Sequence, residues 1–221
     1  MSVILHENLR LPGEWGLWHI TESEAWLREN VELHPAEIEN LANFKGKGQR
    51  REFLAARILL HFMSGRAERA ELSKDENGKP HLKDSTFHVS ISHTVNYAAA
   101  IAHPNLCGID VQRIVPRIHK IAHKFVSEEE KSQLIPEHEL IQLHLIWSAK
   151  EAVYKAYGQR QLDFRDNIFL DFEGYSPEKT TASALLIKET LEIIFDLDFR
   201  IYEGFVLVGA VERVMPAPAL P

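Results

Sequence analysis

The stretch WSAKEAVYKAYG, residues 147–158, places a tryptophan, two lysines and a glutamate within one helical pattern. Trp147, Glu151 and Lys155 stand four residues apart, so they share one face of a helix. A carboxylate and an ammonium on one face can hold a metal ion and a phosphate side by side, or can simply pair with each other. An exposed pair of this kind stabilises a helix by about 0.2–0.5 kcal/mol and needs no function. The stretch alone favours the ion pair, so the rest of the chain has to decide.

The composition is that of an ordinary soluble globular protein. The chain has 221 residues, of which 45% are hydrophobic and 26% charged, and a formal net charge of −7. A net negative charge argues against a nucleic-acid-binding domain, because such domains usually carry a basic excess. No apolar run approaches the roughly 18 residues of a membrane span, and the single cysteine, Cys107, excludes an intrachain disulfide. We therefore expect a cytoplasmic protein that contacts neither membrane nor nucleic acid.

Hydrophobic periodicity predicts an α+β fold with mostly antiparallel sheets. Residues 87–94, FHVSISHT, alternate between apolar and polar as a half-buried strand does. Helical patterns cover about 48–64 and 137–157, and further strands are predicted at 14–20, 97–102, 106–114, 168–172, 182–189, 191–201 and 205–212. Helices and hairpins alternate without a run of βαβ units, which is the pattern of the α+β class.

The order of strand, helices and meander occurs once in each half of the chain. We predict an N-terminal α+β half at 1–102, a C-terminal α+β half at 103–212 and a flexible tail at 213–221. This layout indicates a duplicated architecture, although the patterns alone contain no residue-level repeat that proves it.

Asp110 and Gln112 are two residues apart on a predicted strand and therefore point to the same face, as does Gly108. A carboxylate on a strand beside a glutamate on a helix is a usual way to hold Mg²⁺, which takes one or two protein carboxylates among about six oxygens. Gln112 can add a neutral amide oxygen. The alternative for Asp110 is a strand-end residue bonded to nearby backbone, which is the commoner case for a single aspartate.

Anion-binding candidates precede that strand. Ser92 and His93 offer a hydroxyl and an imidazole as donors at a strand end, although His93 also fits a histidine at the edge of the core. The basic segment 45–57 includes Arg51 and Arg57, which suit a small anion better than a nucleic-acid track. A solvated helix face is the alternative for this segment.

Five ordered motifs together resemble the 4′-phosphopantetheinyl transferase superfamily. They are NGKPHL (77–82), FHVSISHT (87–94), CGIDVQRI (107–114), FVSEEE (125–130) and WSAKEAVYKAYG (147–158). The chain length is similar to that of the larger, surfactin-synthetase-type branch, whose members fold as a pseudo-dimer of two similar α+β halves. The resemblance is close over about 45–160 and rests on layout alone at the two ends.

The resemblance implies Mg²⁺-dependent transfer of the 4′-phosphopantetheine arm of coenzyme A to a serine of an apo acyl or peptidyl carrier protein, releasing 3′,5′-ADP. By motif position, Asp110, Gln112 and Glu151 would hold Mg²⁺, and Lys155 would bind the diphosphate. Glu130 would be the general base, and Lys150, which points about 100° away from Glu151, would have a supporting role. The 3′-phosphate and nucleotide would be bound by Ser92, His93, Arg51, Arg57, Gly78, Lys79 and Pro80.

One position departs from the family pattern, because many members of this branch have a carboxylate where this chain has Gln112. The site then has one negative charge fewer, and Mn²⁺ could serve as well as Mg²⁺. Two other hypotheses follow: a non-catalytic relative that binds coenzyme A or a carrier protein, and a metal-dependent phosphohydrolase that uses Asp110 and Glu151. We expect a monomer, since two halves would form the pseudo-dimer within one chain; the pathway, whether fatty-acid, polyketide or nonribosomal-peptide synthesis, is not encoded.

Overall fold

The computed structural model describes residues 2–172 and 175–214. Its N-terminal part contains strands and helices in the following order: β1 (Ser2–Asn8), β2 (Glu14–His19), α1 (Glu24–Glu29), α2 (Pro35–Ala42), α3 (Lys47–Ser64), β3 (Leu72–Lys74), β4 (Pro80–Leu82), β5 (His88–Thr94) and β6 (Tyr97–His103). The C-terminal part follows with β7 (Cys107–Arg113), two 3-10 helices (Pro116–Lys120 and Ala122–Lys124), α4 (Glu128–Ser132), α5 (Glu139–Tyr157), α6 (Phe164–Asn167), β8 (Ile168–Asp171), β9 (Thr181–Lys188), β10 (Leu191–Tyr202) and β11 (Phe205–Glu212).

Two antiparallel sheets organise the fold. One has the strand order β1-β2-β6-β5 and the other the order β7-β11-β10-β9-β8, and β3 pairs with β4 as a separate hairpin. The predicted α+β class, with mostly antiparallel sheets in two halves, is confirmed. The segment that forms β1 was not predicted as a strand. Its residues are mostly exposed or half-buried, so the apolar alternation that marks a core strand is weak there.

Each sheet covers a long helix with one face and meets the other sheet with its opposite face. Helix α3 packs on the first sheet through a core that includes Leu59, Trp18 and Ala100. Helix α5 packs on the second sheet, and residues of both sheets, among them Leu17 and Ile109, form a third core between them. Because side chains alternate along a strand, Gly108 and Asp110 of β7 are left facing α5. This layering places the candidate site at the β7–α5 contact.

The edge strands β5 and β7 are joined through serine hydroxyl groups. The backbone N–H groups of Ile109 and Val111 donate to Ser90 Oγ and Ser92 Oγ over 3.2 and 3.3 Å. A strand edge with unpaired N–H groups is an open binding surface, and here the serines satisfy it. The predicted Ser92 end of β5 is thereby fixed beside Asp110.

Residues 215–221 of the predicted flexible tail lie outside the described residues. Arg213 is not loose: its backbone N–H donates to Ile194 O over 2.8 Å, and its guanidinium pairs with Asp196. No helix among the described residues is both long and apolar enough to cross a membrane.

His144 of α5 makes the stability of this half dependent on pH. Its Nε2 accepts from the Val115 backbone N–H over 3.0 Å, and its Nδ1 donates to Leu140 O over 2.8 Å. This arrangement requires the neutral imidazole, and burial lowers the pKa of His144 below its ordinary value of 6.5. The unfolded chain therefore binds the proton more readily, so the stabilising contribution is complete above pH 6.5 and is lost as the pH falls.

We predict that His144→Gln, which keeps an acceptor but cannot titrate, weakens the decrease in unfolding free energy between pH 7 and pH 5. Denaturant titrations at several pH values measure this slope. The exposed His123→Gln variant is the control and is expected to keep the parent slope. Equal slopes for the parent and His144→Gln would show that His144 does not carry the effect.

Candidate active site

Gly108 sets the distance between β7 and α5. A Cβ atom at this position would overlap the carbonyl oxygen of Ala152 and lie 2.7 Å from the backbone nitrogen of Ala156. A side chain here would therefore press against helix backbone, which cannot turn away as a side-chain tip can. Glycine lets the strand and helix approach closely, and the next side chain on this face, that of Asp110, meets the helix at Lys155.

Asp110 is 6% exposed, and its two carboxylate oxygens have different surroundings. Its Oδ1 accepts from Lys155 Nζ over 2.7 Å and from Ser92 Oγ over 2.9 Å. Its Oδ2 is buried without a hydrogen-bond partner. A buried carboxylate oxygen normally has a partner, so this atom marks a place where a cation can bind.

Glu151 completes the pair of carboxylates. Burial raises the pKa of Glu151, and the nearby negative charge of Asp110 raises it further, while Lys155 opposes this effect. Two partly buried carboxylates that repel each other, with the Gln112 amide on the same strand face, provide the oxygen ligands that Mg²⁺ prefers. These residues fit a hard divalent cation.

The metal ion would have few ligands from the protein. Across residues 2–172 and 175–214, no group of three His, Cys, Asp or Glu side chains is close enough to hold a metal ion. Two carboxylates and one amide agree with the usual behaviour of Mg²⁺, which keeps several waters and takes further oxygens from phosphates.

A cleft of about 240 Å³ lies beside these residues, between the β3–β4 hairpin, the end of β5 and the end of α5. The predicted residues that line it are Gly78, Lys79, Pro80, His93 and Lys155. The cleft therefore brings together residues from both halves of the chain, from Lys74 to Gln159. It has the concave form expected of a small-molecule site.

Lys79 and Gly158 close one end of the cleft. The Lys79 ammonium donates to the Ala156 carbonyl near the C-terminus of α5, where helix carbonyls lack helical partners. Gly158 has a φ of 72°, and a Cβ there would overlap the Lys79 side chain. Burial lowers the pKa of Lys79. This lysine therefore holds the hairpin against the helix that carries Glu151.

The structure does not bring Arg57 to the cleft, although it was predicted to bind the 3′-phosphate. Arg57 is 3% exposed and its Nε donates to Glu37 Oε1 over 2.9 Å. Arg51 does not line the cleft either, because its guanidinium donates to the carbonyls of Ile20 and Glu22. Sequence shows that these residues are cationic but does not show the acceptors that bind them.

Ser92 also has a different position from the one expected of an anion ligand. Its hydroxyl donates to Asp110 Oδ1 and accepts from Lys155 Nζ over 3.0 Å and from the Val111 N–H. Its bonding capacity is used inside the site. Ser92 therefore orients Asp110 and Lys155, whereas His93, with a side chain that is 54% exposed, faces the cleft and can contact a ligand.

Glu130 and Lys150 face each other away from the cleft. Glu130 is 4% exposed and Lys150 fully buried, and Lys150 Nζ lies 2.8 Å from Glu130 Oε2. Lys150 Nζ also donates to the carbonyls of Phe125 and Phe164 over 2.7 and 2.9 Å. Glu130 was predicted to be the general base and Lys150 to have a supporting role; in this structure the two pair with each other and neither lines the cleft.

Some residues that line the cleft were not among the predicted site residues. They are Lys74, Asn77, Ser90, Ile91, Tyr154, Gly158 and Gln159. Two of them carried a signal in the sequence: Ser90 shares the strand face of Ser92, and Tyr154 lies one turn after Glu151 on α5. Trp147, which shares the helix face of Glu151 and Lys155 by its spacing, packs its ring against Phe125 and Phe164, at centroid distances of 5.1 and 5.6 Å.

Comparisons with known proteins agree with the motifs. A family model described as the 4′-phosphopantetheinyl transferase superfamily matches residues 106–201, and a model described as the 4′-phosphopantetheinyl transferase N-terminal domain matches residues 41–103. The chain is 31% identical over 91 residues to the 4′-phosphopantetheinyl transferase ffp of Bacillus subtilis. That match covers 39% of this chain and 41% of the relative, less than half of either protein.

Proposed function

We propose that this chain, which belongs to the 4′-phosphopantetheinyl transferase superfamily, transfers the 4′-phosphopantetheine arm of coenzyme A to a serine of an apo carrier protein. The observation that carries the proposal is the meeting of Asp110, Glu151 and Lys155 beside a cleft lined by Lys79 and His93. The family matches supply the reaction class, and the larger, pseudo-dimeric branch is part of the proposal because two sheet-containing halves fit it.

The reaction would exchange one P–O bond for another. The serine oxygen forms a bond to the phosphorus next to pantetheine, the bond from that phosphorus to the bridging oxygen breaks, and 3′,5′-ADP leaves. Mg²⁺, when bound, would neutralise the diphosphate and stabilise the charge that develops on the leaving oxygen. Asp110 and Glu151, with Gln112, would hold this ion.

Lys155 and Glu151 would act on the reacting groups themselves. Lys155 Nζ now bonds to Asp110 Oδ1, Ser92 Oγ and Ile109 O, and its side chain is 27% exposed. It can therefore exchange one acceptor for a diphosphate oxygen. Glu151 would receive the serine proton on its second carboxylate oxygen, since a general base must lie within hydrogen-bond reach of the proton it takes.

The test is to incubate the protein with coenzyme A, Mg²⁺ and an apo acyl or peptidyl carrier protein, and to follow the carrier by mass spectrometry. We expect the carrier to gain one phosphopantetheine and 3′,5′-ADP to appear in equal amount. A carrier that never gains mass while coenzyme A still binds would support the non-catalytic relative. Release of phosphopantetheine without any carrier would support the phosphohydrolase.

Gln112→Glu is expected to strengthen Mg²⁺ binding by about tenfold. A unit negative charge about 4 Å from a doubly charged ion is worth roughly 8 kcal/mol at an effective dielectric constant of 20, and desolvation of the new carboxylate offsets most of this. Isothermal calorimetry with Mg²⁺ measures the change, with Gln112→Ala as the control that removes the amide oxygen without adding charge. Unchanged affinity in Gln112→Glu would place the ion away from this strand face.

A further inference from the structure

Each half of the described chain contains a buried glutamate that is paired with a buried cation. In the C-terminal half the pair is Glu130 with Lys150, and in the N-terminal half it is Glu37 with Arg57. Each glutamate precedes its cation by 20 residues. All four side chains are less than 5% exposed. Buried ionic pairs are costly to desolvate, so two of them with the same spacing require an explanation.

The local structure around the two pairs is also the same. Glu37 and Glu130 are both the third residue of a short helix, and each accepts the backbone N–H of its N-cap residue, His34 or Ser127, over 3.0 and 2.9 Å. The N-cap residues, the glutamates and the cations are each related by one constant offset of 93 residues (127 minus 34).

The long helices α3 and α5 end in the same way. Each ends at a glycine in the left-handed conformation, Gly65 with a φ of 60° and Gly158 with a φ of 72°. These glycines also stand 93 residues apart (158 minus 65), eight residues after their cations. The cap, the glutamate, the cation and the terminal glycine thus form a residue-level repeat.

The reactive groups of the C-terminal half are absent from the repeat. At the same offset from Glu151 and Lys155, helix α3 has Ile58 and Phe62. The N-terminal half therefore keeps the buried pair without the carboxylate and the lysine of the candidate site. A pair that is present where no such site exists serves the scaffold.

All donors of the Lys150 ammonium are used within the protein. An ammonium has three N–H donors, and those of Lys150 bond to Glu130, to the Phe125 carbonyl and to the Phe164 carbonyl. The Glu130 carboxylate accepts in addition from the Leu170 N–H over 3.2 Å. These contacts connect α5 to three separate segments and leave Lys150 no donor for a phosphate.

The segments that contain Phe125 and Phe164 also contact the ring of Trp147, one turn before Lys150. Trp147 and Lys150 thus both fix α5 to these segments, and Glu151 follows Lys150 by about 100° around the helix. Fixing Lys150 fixes the rotation of α5 about its axis, and with it the direction in which Glu151 points.

We propose, on the basis of the proposed function, that Glu130 and Lys150 are positioning residues that set the rotation of α5 so that Glu151 and Lys155 face Asp110. Glu130 is then neither the base that receives the serine proton nor a ligand of the substrate. Glu37 and Arg57 perform the equivalent structural task for α3.

The test is a double-mutant cycle with Glu130→Gln, Lys150→Met and the double variant. Each single change leaves one buried group without its partner, whereas the double change leaves a neutral pair. We expect the single variants to bind Mn²⁺ about tenfold more weakly by calorimetry and to lose at least about tenfold in transfer rate. The double variant is expected to recover both quantities to within about threefold of the parent, because the methionine still packs where the Lys150 stem does and no buried charge is left unpaired.

Arg57→Gln is the matched control in the other half. It removes the equivalent cation, while Glu37 stays paired with Arg69. We expect a lower melting temperature with Mn²⁺ affinity and transfer rate within twofold of the parent. This control separates a general loss of stability from a change at the site.

The cycle has two outcomes that overturn the proposal. One is a double variant that regains its melting temperature and Mn²⁺ affinity but transfers no faster than Glu130→Gln, since Glu130 would then act in the chemistry. The other is a set of folded single variants with parental Mn²⁺ affinity. A parent protein that binds Mn²⁺ and shows the recovery in affinity, but modifies no carrier, would refute the proposed function and leave the positioning role standing.

Discussion

Glu151→Gln is expected to lower the rate of phosphopantetheine transfer by about a thousandfold, because general-base catalysis alone is worth about 10²–10⁴. The substitution also removes one of the two carboxylates that would hold Mg²⁺. The shape of the side chain is preserved, so the cleft and the packing of α5 should remain. Transfer to an apo carrier protein, followed over time by mass spectrometry at fixed Mg²⁺, measures the loss.

The same substitution should leave stability unchanged or raise it. Burial and the charge of Asp110 raise the pKa of Glu151, which means that folding disfavours its ionised form at neutral pH. A neutral glutamine does not carry this penalty. A lower rate together with an equal or higher melting temperature is the mark of a site that sacrifices stability for function.

Glu139→Gln is the control for this prediction. It makes the same chemical change in the first turn of the same helix, at a side chain that is 44% exposed and only 3.7 Å from an exposed histidine. We expect this control to transfer phosphopantetheine at the rate of the parent protein. If Glu151→Gln unfolds, or transfers as fast as the parent, the assignment of Glu151 to the site is wrong.

The parts of the site that could be predicted from sequence are those that depend on local spacing. Asp110 and Gly108 share a face because strands alternate, and Glu151 and Lys155 share a face because helices repeat every 3.6 residues. Both relations persist in the structure, where Lys155 reaches Asp110. The order of motifs then indicated which faces belong together.

The parts that could not be predicted depend on partners far away in the chain. The sequence shows that Arg57 is cationic and precedes the motifs in the chain. Its burial depends on a pairing with Glu37, and a periodic pattern does not connect these two residues. Lys150 and Glu130 lay in two motifs, yet their mutual contact removes both from the cleft. A charged residue shows its chemistry in the sequence, whereas its accessibility is decided by tertiary packing.

The repeat could have been found in the sequence only with the structure as a guide. Between the two halves, the shared positions are few and the residue types differ, with histidine against serine at the cap and arginine against lysine at the cation. The two halves share a geometry: a glutamate that accepts from the N-cap residue of its helix pairs with a buried cation. The stretch 147–158 accordingly has two tasks: Trp147 and Lys150 hold the helix in place, and Glu151 and Lys155 form part of the candidate site.

Gly108→Ala is expected to be strongly destabilising for so small a change. The added methyl would overlap the Ala152 carbonyl and approach the Ala156 nitrogen to 2.7 Å, so α5 would have to move away from β7. Overpacking a well-packed core typically costs about 1–3 kcal/mol, and contact with helix backbone places this case at or above the upper end. Thermal and urea unfolding measure the cost.

The transfer rate should fall further than stability alone explains. Moving α5 away from β7 separates Glu151 and Lys155 from Asp110, and a displacement of about 1 Å at a reacting centre can cost about a hundredfold. At a temperature where the variant is still folded, we therefore expect at least this loss in rate and weaker Mn²⁺ binding by calorimetry.

Two other glycines provide graded controls. Gly48 lies in α3 with no atom within 4 Å of an added Cβ, so Gly48→Ala should stabilise the protein by about 0.5–1 kcal/mol. At Gly16, the strand position that faces α3, the added Cβ would meet the flexible Met63 side chain at 2.9 Å. Gly16→Ala should therefore cost less than Gly108→Ala and should not change Mn²⁺ affinity. Parental stability and transfer in Gly108→Ala would show that the β7–α5 approach does not set the geometry of the site.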